Sequence, residues 1–200
     1  MELQRRLKDC HDKLDSDKSC QVLVKNSWNS LRRAFCKHPN AVHPADGCEL
    51  TRTANLTGPI LSLFGASIKL FQFLAGVSPR LDAKHLNEEV QKWVVRQGGK
   101  CEADRWRPIT VCYGLKKGEH FGDGGTTIGN TFLNDVPPAE LRKEVLYHEL
   151  QHTKQFEFYY NKFNFWPTFL VYYTYGTGLS RGCANVYEQE ADLHGNLYRC

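Results

Sequence analysis

The sequence contains no Cys-x-x-Cys pair, no long uninterrupted apolar run, no block of like charge and no low-complexity tract. The lack of closely spaced cysteines argues against a Cys-ligated zinc site. The longest apolar stretch, Pro59 to Gly76, is interrupted by Ser62, Ser67, Lys69 and Gln72. It also falls short of the roughly 20 residues that a bilayer-spanning helix needs. A buried helix is expected there, with a membrane-active segment as the alternative, and no membrane contact is expected elsewhere. Lys and Arg number 26 against 22 Asp and Glu, and the basic residues are dispersed. A net charge of +4 spread in this way gives no electrostatic footprint for nucleic acid.

What is present suits a globular chain. A mass of 23.0 kDa with 41% hydrophobic and 12% aromatic residues can bury a core without help from metal or disulfides. Eight cysteines, at positions 10, 20, 36, 48, 101, 112, 183 and 200, are even in number and widely spaced. That pattern predicts four disulfides and a secreted or periplasmic, oxidising location. Two local staples are expected in the first 48 residues, a hairpin or loop closed by Cys101 and Cys112, and a clamp of the C-terminal helix by Cys183 and Cys200. The first 20 residues are charged and have no apolar signal core, so the expectation is a signal already removed or a passenger released from a larger parent.

Along the chain, Leu3, Leu7, Leu14, Val22, Trp28, Leu31 and Phe35 recur at helical intervals, and 1–98 reads as a cysteine-rich, mainly helical region. A helix over Asp82 to Gln97, with Leu86, Val90, Trp93 and Val94 as its apolar stripe, ends at Gly98 and Gly99. Arg107 to Leu115 reads as a strand, 116–125 as an exposed turn, and Thr126 to Asn134 as a second strand. The expected class is α+β, with 99–200 a metal-binding domain, or the whole chain one compact unit.

From Pro138 onward "PAELRKEVLYHELQHTKQFEFYY" has helical composition. Residues four apart face the same way on a helix, so His148 and His152 can offer two imidazoles to one ion. Glu149, one step round, can serve as a general base without being a ligand. A third ligand is available in "NVYEQEADLHG", where Glu188 and Asp192 share a helical face. Glu188 completes a His-His-Glu set for Zn2+, and Asp192 can accept a hydrogen bond from the distal nitrogen of a liganding histidine. Glu190 and His194 are the rival ligands.

"HELQH" followed by "EQEAD" resembles the gluzincin branch of zinc metallopeptidases. With "TTIGNTFLND" ahead of it, the series is similar to the small metallopeptidase-like domains of bacterial secreted proteins and polymorphic toxins. The resemblance covers about residues 107 to 197. It implies a zincin-like domain with a small sheet, a zinc-dependent endopeptidase activity, and a strand at Thr126 to Leu133 that lies along the cleft and pairs with an extended protein or peptide substrate. It also implies a histidine or tyrosine that stabilises the oxyanion. Tyr172, Tyr173 and Tyr175 are candidates, with Tyr175 preferred for its nearness to flexible glycines, and His120 is a further one. Two other classes remain open: a non-catalytic zinc-stabilised domain that binds a partner protein, and a membrane-disrupting toxin piece working through Pro59 to Gly76. An inhibitor or the larger parent could hold the site silent.

Overall fold

The computed structural model describes residues 18–35, 68–115, 125–179 and 185–195. Six α-helices and four strands are found among them: α1 Lys18–Phe35, α2 Ile68–Gly76, α3 Ala83–Arg96, β1 Lys100–Ala103, β2 Thr110–Tyr113, β3 Thr126–Ile128, β4 Thr131–Leu133, α4 Lys143–Phe163, α5 Pro167–Leu179 and α6 Val186–Gly195. The class is α+β. No described helix is long and apolar enough to cross a membrane. Residues 116–124 of the expected turn at 116–125, with His120, lie outside the described residues, as do 1–17 and the 59–67 part of the expected helix at 59–76.

α3 forms where its sequence predicts. Asp82 Oδ1 accepts the His85 N–H at 2.9 Å and so caps the helix, and Leu86, Val90, Trp93 and Val94 are its buried stripe. At its end Gly98 adopts φ +90, which an L side chain would resist. The chain then enters β1, which pairs antiparallel with β2 so that Cys101 stands opposite Cys112. Their disulfide joins Cα atoms 4.0 Å apart, so the expected closure at this pair is a covalently tied hairpin. The other six cysteine side chains lie outside the description.

Two strands differ from expectation. Thr110–Tyr113 is shorter than Arg107 to Leu115 because Pro108 has no N–H to give a ladder and Gly114, at φ +78, turns the chain away. Thr126 to Asn134 is not one strand. It folds back at Gly129 and Asn130 into a β3–β4 hairpin, with Thr127 opposite Phe132. Gly129 has φ +61 at the first central position of this two-residue turn, where glycine has no steric penalty. The Asn87 side chain then seals the turn by accepting the Asn130 N–H at 3.0 Å.

Among the described residues the sheet runs β1-β2-β4-β3, with β2 and β4 parallel, which leaves β3 at an edge of it. Side chains alternate across it. Cys112, Ile128 and Leu133 join the main core with α3, while Val111 and Phe132 join Leu146 of α4 in a second cluster. Thr127, paired with Phe132, therefore faces α4 as well. The main core draws on both sides of Gly98: Trp28 of α1 meets Trp166 edge-on at 5.3 Å, and the Trp166 indole N–H donates to the Ser78 carbonyl. Docking on Trp166 selects the α1 face that carries Val24 and Trp28, so Val22, expected on the stripe, is instead exposed.

Candidate metal centre

The motif helix starts later than its composition suggests. Pro138–Glu140 makes a separate 3-10 turn, Leu141 and Arg142 are extended, and α4 begins at Lys143. It runs 21 residues and stops where Asn164 takes a left-handed conformation, φ 46. The C-terminal half of α4 buries aromatic rings, with Phe156, Tyr159 and Phe163 in a cluster against Phe169, Tyr172 and Tyr187. Apart from Leu146, the remaining buried positions are polar: His148, Glu149, Gln151, His152, Thr153 and Gln155. So many buried polar groups on one helix require partners.

Those partners come chiefly from α6. Asn185 caps this helix by accepting the Tyr187 N–H, which puts Glu188 in its first turn and Asp192 one turn on. His148, His152 and Glu188 are all buried and bring one potential ligand atom each within 4.8 Å of the others. His148 Nε2 lies 3.1 Å from His152 Nε2 and 3.2 Å from Glu188 Oε2, and His152 Nε2 lies 3.5 Å from Glu188 Oε1. Donor atoms at zinc-ligand bond lengths and tetrahedral angles sit about 3.3 Å apart. The three edges bracket that value, so a buried group able to hold a metal ion is present, and a donor set of two imidazoles and one carboxylate suits zinc.

Each ligand is oriented by a further contact. Asp192 Oδ1 stands 2.9 Å from His148 Nδ1, the role expected of it. His152 Nδ1 lies 2.8 Å from Gln155 Oε1. The Tyr173 hydroxyl donates to Glu188 Oε1 at 2.5 Å, and its ring meets His152 edge-on. Glu190, the rival ligand, is instead held by the amides of Gln151 and Gln155. Tyr175 falls on α5 two residues beyond Tyr173, and its side chain, like that of His194, is outside the description.

Glu149 is buried beside the cluster and belongs to none of its ligand pairs. Its Oε2 accepts a 2.6 Å hydrogen bond from the Thr127 hydroxyl on the edge strand. Burial pushes its carboxyl above the ordinary carboxylate range, against the opposing pull of His152 and Thr127. Burial would lower His152, but the hydrogen bond to Glu188 and the charges of Glu149 and Glu188 outweigh it, and the ring is pushed up to about 9. Glu188 shows the converse. Burial alone would raise it, yet hydrogen bonds from His148 and His152 hold it well below the usual range.

Sequence reading missed Thr127, Gln151 and Gln155. The two glutamines had a local signal, since Gln151 and Gln155 are four apart on the motif helix. Thr127 needed the hairpin register to be assigned to a face. No protein-family model, curated protein or solved structure matches the chain, so the reading of this centre rests on its own residues.

Proposed function

We propose that the chain is a zinc-dependent endopeptidase, acting as a secreted or toxin-type effector on extended segments of protein. The observation that carries this reading is Glu149, a buried carboxylate beside the His148–His152–Glu188 group but outside its ligand pairs. A purely structural ion has no use for such a residue. The Cys101–Cys112 disulfide agrees with an oxidising location.

Zinc in such a set would supply Lewis acidity toward a carbonyl and make water acidic near neutral pH. His148, His152 and Glu188 would hold it. Glu149 takes the proton of the attacking water and returns it to the leaving nitrogen, a task helped by the burial that lifts its proton affinity toward the working pH. Thr127 keeps the carboxylate oriented. Thr127 also belongs to β3, the sheet edge whose backbone can take an extended peptide as an added strand. Tyr173 replaces Tyr175 as the preferred phenol for the developing oxyanion, because its hydroxyl already reaches a ligand carboxylate.

Glu149→Gln tests the reading. The variant keeps size and removes basicity, so zinc content and fold should persist while peptide hydrolysis drops on the order of a hundredfold or more. A chelator should abolish wild-type cleavage and zinc restore it. Equal cleavage by a metal-loaded Gln variant refutes the mechanism. A zinc-loaded wild type that cleaves nothing in a broad peptide library replaces it with the partner-binding module.

A further inference from the structure

Gln155 sits at the centre of a polar chain that no ligand assignment requires. Its Nε2 donates to the Tyr187 carbonyl at 3.0 Å and to Glu190 Oε2 at 2.8 Å, while its Oε1 lies 2.8 Å from His152 Nδ1. A backbone carbonyl and a carboxylate only accept, so the amide nitrogen must face them and both its N–H groups are used. The amide oxygen is thereby turned to His152, and an oxygen can only accept there. Nδ1 of His152 must therefore carry the hydrogen, and when the ring is neutral its Nε2 lone pair faces His148 and Glu188.

We propose that Glu190, acting through Gln155, is a positioning residue that fixes the orientation and tautomer of His152 and so sets the affinity of the centre for its metal. Asp192 performs this task for His148 in one step, carboxylate to imidazole. Glu190 performs it in two, with an amide between. The Gln151 amide, which donates to Glu190 Oε1 at 3.2 Å, holds the carboxylate in place from one turn earlier on α4. Glu190 is exposed whereas Gln155 is buried, so the relay carries the preference of a solvated acceptor into a dry site. The inference rests on the metal-binding part of the proposed function and is independent of whether peptide bonds are cut.

The test is zinc affinity, measured by competition with a chromophoric chelator, for wild type, Glu190→Gln, Gln155→Leu and the double variant, with the unfolding temperature of each metal-free protein alongside. Glu190→Gln changes an exposed side chain and should fold as wild type. It weakens the hold on the Gln155 amide, for which the Tyr187 carbonyl remains the other acceptor, and zinc should bind about threefold to tenfold more weakly; Gln155→Leu should lose up to about a hundredfold. Because Glu190 acts through Gln155, the double variant should bind as Gln155→Leu does, within about twofold. A merely structural role for Glu190 would lower the unfolding temperature and leave zinc affinity alone. Wild-type affinity in Glu190→Gln, or losses that multiply in the double variant, overturns the relay. Absence of zinc uptake by wild type itself overturns the metal centre, a distinct result.

Discussion

Zinc binding should be strongly pH-dependent, and the dependence follows from His152. A ligand imidazole must be neutral, yet in the metal-free chain this ring keeps its proton up to about 9, because the Glu188 hydrogen bond and the neighbouring carboxylates outweigh the burial that disfavours its charge. At pH 7 the ring lies two units below that value, and each unit is about 1.4 kcal/mol, so removing the proton weakens binding by about 3 kcal/mol, roughly a hundredfold. This group alone should therefore raise zinc affinity about tenfold per pH unit from 7 to 9 and add nothing above. Glu188 is ionised throughout the window and takes up or releases no proton in it. The assay is a chelator competition at pH 7, 8 and 9, with proton release followed by calorimetry in two buffers of different ionisation enthalpy. Affinity that stays flat across this range with no proton released refutes the argument. Folding carries the opposite sign: a raised histidine stabilises the metal-free protein fully below pH 6.5, and that stability is lost as pH rises through about 9. The metal-free protein should thus lose unfolding temperature between pH 7 and 10 through this group, and zinc should remove that loss.

Gly129→Ala should destabilise the fold by about 2 kcal/mol in urea titrations, since φ +61 strains an L residue and the new Cβ would stand 2.1 Å from Asn87 Oδ1, breaking its bond to Asn130. Wild-type stability would show that the turn is not held as described. Replacing Cys101 and Cys112 together by Ser should lower stability by about 3 kcal/mol, the loop-closure term for a crosslink of this span. Zinc affinity should be unchanged in that variant, because β1 is the sheet edge opposite β3 and Thr127; a large loss of affinity would contradict this separation.

Local periodicity explains which parts were legible. The α3 stripe and Asp82 cap, the one-turn spacing of His148 and His152, and the Glu188 to Asp192 repeat are all set within a few residues of sequence, where helix geometry leaves little choice. The hairpin was legible in principle, since Gly-Asn between two triads rich in β-forming residues is a two-residue turn signal, but "TTIGNTFL" also reads as one continuous strand. The start of α4 was not fixed by Pro138, because a proline suits the first turn of a 3-10 helix as well as that of an α-helix. Val22 against Val24 was decided by where Trp166 lies, 138 or more positions along the chain, and no local pattern contains that. The Glu190 relay is of the same kind. It joins residues 35 apart in sequence, and its donors and acceptors become visible only when α6 is laid beside α4.

The centre is built so that a proton and a metal ion can take the same electrostatic place. Three buried polar side chains converge on one point, and a buried carboxylate without a partner costs several kcal/mol. In the metal-free chain the raised His152 supplies that partner, with the Tyr173 hydroxyl adding a second donor to Glu188. Asp192 holds His148 in place at the same time. Farther along the same face of α4 the Phe156, Tyr159 and Phe163 rings are packed into the cluster with Tyr172 and Tyr187, and the Tyr159 and Tyr187 hydroxyls meet at 2.7 Å, which ties α4 to α6 without any ion. The helices that carry the ligands are therefore fixed by the aromatic core, and the ligands by their own hydrogen bonds. Exchange of the His152 proton for zinc needs no refolding, in contrast to small domains whose fold is created by the metal, and removal of the ion should leave a folded protein whose site is already shaped to take it back.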